Sequence, residues 1–327
     1  MAQIINNIGI GNQVVQNDFD SMPIYKDIKQ VTDSRGNVFI RIPKFYIRKD
    51  VTANKYQPII SEEQLPGFYL PKCFWDFSTN KELPYVDVGK YLASLSADGQ
   101  RLESKSGKEV LVEKTIVELR DLAKANGAGY QLIDIHVVDV LQVLFRVEFA
   151  TMHSQSIHPG LTGASAKVLT GGTDGVSSSS GAMGTTGAFQ FKYRGIEDPW
   201  GNVYQWVDGI NINNHRVWVC DDASTYVSNV FAEPYRALSY TNFNAQGWVS
   251  EMGYDSDNPF AEFPVSVDGT SATYYADHYY QSTGQRVALF GGSWSFGSYA
   301  GLSFWHLSFA ASGAYASSGS RLVRKPL

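Results

Sequence analysis

Residues 291–322 read GGSWSFGSYAGLSFWHLSFAASGAYASSGSRL. No Asp, Glu, Lys or Arg occurs from Val287 to Ser320, although charged residues make up 18% of the chain. Phe, Tyr, Trp, His, Ser and Gly stand in their place, often as a small polar residue beside an aromatic one. Such a stretch is either a buried sheet or a surface built to touch another molecule. Trp294, Leu302, Trp305 and Leu307 are expected in the core under both readings, as large apolar side chains usually are.

The rest of the chain sets bounds on what this stretch can belong to. With 327 residues it buries a large core, as one big domain or two smaller ones. A hydrophobic content of 43% and a mean hydropathy of −0.20 are those of a folded protein. The 19 Tyr, 18 Phe and 30 Gly favour β structure and long shaped loops. A net charge of −5 gives no general attraction to phosphate, which argues against nucleic acid as a partner. Cys73 and Cys220 are expected as free core thiols rather than a disulfide. The first residues lack the basic region and apolar run of a secretory signal, and no stretch is apolar and long enough to insert in a bilayer. The expectation is a protein made in the cytoplasm that reaches a surface only by assembly into something larger.

Local patterns divide the chain. Residues 1–32 are polar and Asn-rich, and are expected to form an arm or docking segment. In GNVFIRIPKFYIRKD, Val38, Ile40 and Ile42 share one face of a strand, and Pro43 suggests an edge or a bulge. Thr115 and Glu118 form a capping box before the stripe Ile116, Leu119, Leu122 and Ala123, and Asn126-Gly127 ends that helix. A second helix starts at Asp134, although its β-branched residues weaken the pattern. The Gly/Ser/Thr-rich run from Thr170 to Ala188 is expected as a flexible surface excursion, since no Lys stands in a P-loop position. The segment DSDNPFAE at 255–262 reads as a turn in preference to a weak calcium loop.

A search for chemistry returns little. The histidines at 136, 153, 158, 215, 278 and 306 never take H-E-x-x-H spacing, and no C-x-x-C occurs, so a dedicated zinc site is unsupported. In GGSWS, Ser295 stands where a nucleophile elbow needs its last Gly. No catalytic residues are assigned.

The segment YRGIEDPWGNVYQWVDGI at 193–210, with FGGSW at 290–294 and GSRL at 319–322, resembles the formylglycine-generating-enzyme type of C-type-lectin-like fold. That family shows a G-N-V-W-E-W segment, a later R-G-G-S-W and a closing G-F-R. The resemblance covers 33–327 and implies an α+β domain with two helices, short twisted sheets and much irregular structure. Asn202, Trp206, Gly291, Gly292, Trp294, Trp305 and Arg321 would be its structural frame. The enzymes of that family use reactive cysteines near the C-terminus, and here none follows Cys220. The H-x3-H-x-E iron set of related sulfoxide synthases is also missing. Gln205 replaces the Glu that helps hold calcium in some relatives, so no cofactor is expected and calcium is not favoured. An enzyme of the formylglycine-generating or sulfatase-modifying type stands as the alternative function, and a fixed-specificity adhesin as another.

Residues 291–322 look more like the variable region of proteins diversified by retroelements, such as phage tropism determinants and related tail-fibre receptor-binding proteins. In that group a template rich in Asn codons is copied with errors at adenine. Ser295, Phe296, Tyr299, Phe304, His306, Ser308, Phe309, Gly313, Tyr315, Ser317 and Ser318 are each reachable from an Asn codon by such changes, and they interleave with the frame. The resemblance thus implies a non-catalytic phage adhesin on a virion tail fibre. These residues would contact a bacterial surface protein or glycan, and residues 1–32 would dock to other fibre or baseplate proteins. A homotrimer would add multivalency.

Overall fold

The computed structural model describes residues 4–6, 18–52, 55–242 and 245–327. Its two helices and many short strands make an α+β fold. Helix α1 (Ile116–Lys124) begins where the capping box predicts. The Thr115 hydroxyl accepts from the Glu118 amide, and the Glu118 carboxylate accepts from the Thr115 amide. Ile116, Leu119 and Ala123 are buried, Leu122 is half-buried, and the chain turns away at Gly127 with a φ of 115°. Helix α2 (Ile135–Phe149) is capped by Asp134, whose carboxylate accepts from the Val137 amide. Every residue from Ile135 to Glu148 is buried. Packing on all sides therefore overrides the weak helix propensity of its valines.

Two larger sheets contribute to the core cluster that contains α2. The first has the order Lys29–Thr32, Val38–Pro43, Tyr85–Gly89, Leu322–Arg324, Tyr130–Leu132, all antiparallel, so the C-terminal strand is held between chain segments far away in sequence. Ile40 and Ile42 face the main core while Phe39 packs with α1 on the other side, so this strand is covered on both faces. It is an interior strand, not the edge that Pro43 suggested. Pro43 is tolerated because the register with Lys29–Thr32 ends at Arg41, which leaves Pro43 paired only with Tyr85.

The second sheet has eight strands. Along its path they run Arg236–Ala237, Arg216–Val219, Tyr204–Asn213, Gln285–Phe290, Trp305–Phe309, His278–Gln281 and Gly247–Trp248, with Ser318–Gly319 added beside Tyr204. Val137, Val140, Leu141 and Leu144 of α2 share one core cluster with Trp200, Ile210, Phe290, Trp305 and Leu307 of this half.

The arm expected over 1–32 lies partly outside the described residues, at 1–3 and 7–17. Its later part is integrated into the domain. Phe19, Ile24 and Tyr25 are buried, and the Tyr25 hydroxyl donates to the Leu144 carbonyl at 2.7 Å. A boundary at residue 33 therefore cuts through packed structure, because a few apolar residues anchor an otherwise polar segment.

Two loops are better fixed than their composition suggests. The Glu197 carboxylate accepts from the amides of Gly171 and Thr173 and from the Thr173 hydroxyl, which pins the start of the Gly/Ser/Thr-rich run. Farther along, Met183 is exposed. In DSDNPFAE the Asp255 carboxylate accepts from the amides of Ser239 and Asp257 and from the Asn258 side chain, and it closes a turn. Cys73 and Cys220 are buried free thiols.

Candidate binding face

The frame motifs meet around one buried cation. The Arg321 guanidinium donates to the carbonyl oxygens of Gly89, Lys90, Glu197 and Asp198 at 2.7–3.1 Å, and to Gln205 Oε1 at 3.1 Å. The Gln205 amide in turn donates to the Asp198 and Pro199 carbonyls. A neutral amide suits this position, since it both accepts from Arg321 and donates to backbone. Asn202, at a φ of 59°, donates from its side chain to Asp198 Oδ2 at 2.8 Å, and its carbonyl accepts from the Trp294 amide at 2.9 Å. Burial, followed by the charge of Glu197, pushes the Asp198 carboxyl up to about 7. Trp206 is fully buried and its indole donates to the Lys114 carbonyl.

The stretch 291–322 lies over this frame. Gly292 has a φ of 84°, and a Cβ there would sit 2.4 Å from the Ala300 Cβ, so only glycine fits. Along the strand Trp305–Phe309, Trp305 and Leu307 point into the core while His306 and Ser308 face outward. A register shift against Gln285–Phe290 lets Phe309 follow Ser308 on the half-exposed side.

Among the residues expected to vary, Ser295, Tyr299 and Tyr315 are exposed, the tyrosines at 38% and 37%. Phe296, His306, Ser308, Phe309, Gly313 and Ser317 are half-buried. Two residues depart from an exposed role. Phe304 is 0% exposed, with its ring among those of Tyr204, Phe296 and Tyr280. Ser318 is also 0% exposed, in the short strand that pairs with Tyr204 and Gln205. The expectation for Trp294 also changes. It is a half-buried rim residue against Leu92, Val110 and Val203, while Trp305 is fully buried between Phe263 and Phe290.

These differences predict a split in stability. Phe304→Ala is expected to lose about 3–5 kcal/mol, as large buried aromatics do, whereas Tyr299→Ala and Tyr315→Ala stay within about 0.5 kcal/mol of the parent. Urea unfolding of the three variants measures it; equal losses for Phe304 and Tyr315 contradict the assignment.

Beside the buried rings of Tyr204, Trp206, Phe263 and Phe290, three half-buried aromatic residues from other strands adjoin this stretch. His278–Gln281 runs parallel to Trp305–Phe309, with Tyr280 opposite His306, and Trp248 pairs with His278 from the next strand. The alternation in HYYQ, with Tyr279 and Gln281 buried and His278 and Tyr280 half-buried, marks an outward pair. Nothing local in the sequence says which strand that pair lies beside. Burial, with a smaller push from His278, lowers the His306 imidazole to about 3, and burial also lowers that of His278. The ring nitrogen Nδ1 of His306 lies 2.9 Å from the Ser308 hydroxyl. Both imidazoles are therefore neutral near pH 7.

Burial raises the Cys73 and Cys220 thiols above their ordinary range, so neither is a ready thiolate. Among the described residues no group of three His, Cys, Asp or Glu side chains is placed to hold a metal ion, and no helix is long and apolar enough to cross a membrane.

No protein-family model and no curated protein matches the sequence. Solved structures do match. The Major Tropism Determinant U1 Variant aligns at a TM-score of 0.38 and 14% identity over 88% of this chain and 63% of its own. The Major Tropism Determinant P3c Variant aligns at 0.36 and 13% with the same coverage. Treponema denticola variable protein 1 aligns at 0.37 and 10% over 92% of this chain and 99% of its own. The chain thus spans 63% of the length of these two tropism determinants.

Proposed function

We propose that this chain is a non-catalytic receptor-binding protein of the C-type-lectin-like, formylglycine-generating-enzyme type, with its binding face in residues 295–317. It would act at the tip of a phage tail fibre and contact a receptor on the bacterial surface. One observation carries this reading: half-exposed, uncharged aromatic and small residues stand on a strand whose alternate residues Trp305 and Leu307 are buried, with the buried Trp206 ring against Phe309. Such a frame lets side chains change without unfolding the domain. Tyr and Phe supply contact area at low entropy cost, and Ser and Gly adapt around them. A neutral face also avoids desolvating charges that the partner cannot match. The two buried, protonated thiols give no support to the enzyme alternative.

Sequencing the 3′ end of the gene across a natural population tests the proposal. Substitutions are expected at codons 295, 296, 299, 306, 308, 309, 313, 315 and 317, with Gly292, Trp305 and Arg321 unchanged. The buried Phe304 and Ser318 are expected to vary less than Tyr299 and Tyr315. A uniform 3′ end removes diversification and leaves a fixed-specificity adhesin; changes spread evenly over frame and face remove the binding-face reading itself.

A further inference from the structure

The aromatic rings on the outward side of the eight-stranded sheet form one unbroken ribbon. Trp248 lies 4.9 Å from Tyr299 and 5.5 Å from His278, centroid to centroid. His278 lies 4.6 Å from Tyr299 and 4.5 Å from Tyr280. Tyr280 is stacked on His306 at 4.5 Å, His306 meets Phe309 at 4.4 Å, and Phe309 meets Tyr315 at 4.5 Å. All of these rings are half-buried or exposed. The middle of the ribbon, Tyr280 and His278, and one end, Trp248, come from strands outside the C-terminal stretch.

The chemistry of the ribbon is narrow. None of its side chains is charged near pH 7, because both imidazoles are held neutral by burial. It contains no carboxylate and no amide side chain, and the Ser308 hydroxyl beside it is already engaged with His306. Over the middle of the ribbon a charged ligand would lose its hydration and gain no counter-ion; Asp268 beside Trp248 and Glu113 beside Tyr315 stand only at its two ends. A sugar would find the tyrosine hydroxyls, the Trp248 indole and ring nitrogens of the imidazoles, but no carboxylate or amide to take two neighbouring hydroxyls at once, and each hydroxyl left unpaired carries a cost. The faces a sugar ring would stack on are partly turned on one another, as in the Tyr280–His306 pair with an interplanar angle of 17°. Apolar and aromatic side chains of a protein meet neither penalty and gain from ring edges and partial faces.

We propose that Trp248, His278 and Tyr280 are binding residues that form the fixed half of this face, and that the face takes an uncharged, apolar segment on the surface of a partner protein. The proposal rests on the reading of the C-terminal stretch as a binding face. The fixed half would anchor any such segment, while the neighbouring residues of the C-terminal stretch adjust the fit around it.

The test selects a displayed library of random twelve-residue peptides on the purified full chain, with an array of bacterial glycans probed in parallel. Enriched peptides are expected to be apolar, aromatic-rich and without net charge. Trp248→Ala and Tyr280→Ala are each expected to weaken the best peptide about 10- to 100-fold, with Tyr280→Phe restoring it because the ring area returns. Thermal unfolding accompanies each variant, and if Tyr280→Ala melts early, Trp248→Ala on the edge strand decides. Peptide binding lost in Tyr315→Ala but unchanged in Trp248→Ala and Tyr280→Ala overturns the fixed half and leaves the binding face standing. Binding indifferent to all three overturns both. Glycans or charged peptides in place of apolar ones, or no binder from either collection, overturn the partner chemistry proposed.

Discussion

Arg321→Ala is expected to lose about 3–5 kcal/mol of stability, enough to unfold a domain of ordinary stability at physiological temperature. The side chain is fully buried and its partners belong to three separate parts of the chain: the end of the strand Tyr85–Gly89, the Glu197-Asp198 turn, and Gln205. Four of the five acceptors are backbone carbonyls; when the guanidinium is removed, the Lys90 carbonyl keeps the Glu197 amide and the Asp198 carbonyl keeps the Gln205 side chain, while Gly89, Glu197 and Gln205 Oε1 lose the donor that Arg321 supplied. Each orphaned buried acceptor costs about 1–3 kcal/mol. Burial lowers the Arg321 guanidinium to about 10, with Asp198 and Glu197 opposing, so it remains charged near neutral pH.

Arg321→Lys keeps the charge and still fails in this argument. One ammonium cannot span oxygens that a planar fork reaches on two sides. The lysine variant is therefore expected to lose nearly as much as the alanine variant in urea unfolding. A lysine variant within about 1 kcal/mol of the parent would mean that charge, and not the bridging geometry, holds the three segments together.

The same residue shows what the sequence carried and what it did not. GSRL and GNVYQW are short and their role is only a resemblance until Arg321 and Gln205 are seen to touch across 116 positions. Signals confined to one turn are legible: Thr115 with Glu118, and Asp134 before a run of apolar residues, mark both helix starts. Strand alternation is legible too, and it gives His306 and Ser308 as outward residues. Pairing between strands is not, because it depends on which distant segment lies alongside. Tyr280 stacks on His306 through a parallel pairing that no spacing encodes. Phe304 misleads for a related reason. It precedes the strand, where alternation gives no rule, and the neighbouring strands supply the rings that bury it. A polar composition likewise hides the three apolar residues that hold residues 18–32 against the core.

The second large effect lies in a buried ion cluster around Glu262, which no motif announces. Glu262 Oε1 accepts from Lys49 Nζ at 2.5 Å and from the Tyr56 hydroxyl at 2.6 Å, and Glu262 Oε2 accepts from Arg146 at 2.6 Å. Lys49 also reaches Asp139 at 2.5 Å, and Arg146 reaches the hydroxyl of the buried Ser303, next in sequence to Phe304, at 3.2 Å. Glu262→Ala leaves Arg146 without its carboxylate in a fully buried site, and is expected to cost about 3–5 kcal/mol. Arg146→Met alone removes one cation and leaves Glu262 with Lys49 and the Tyr56 hydroxyl. The double variant Arg146→Met with Glu262→Met removes one charge of each sign and keeps Lys49 with Asp139. It is therefore expected to be more stable than Glu262→Met alone, a non-additive result that the cycle of the two methionine substitutions measures. The pH dependence follows the same carboxylate. Burial alone would raise Glu262, but Arg146 and Lys49 hold it at about 2, below its ordinary 4.5. Its stabilising contribution is thus full above about pH 4.5 and is lost as the pH falls towards 2, because the unfolded chain takes up the proton first. Unfolding at pH 7 and at pH 3 should show the parent losing more stability than the double variant; parallel losses would mean that Glu262 is not the group that titrates.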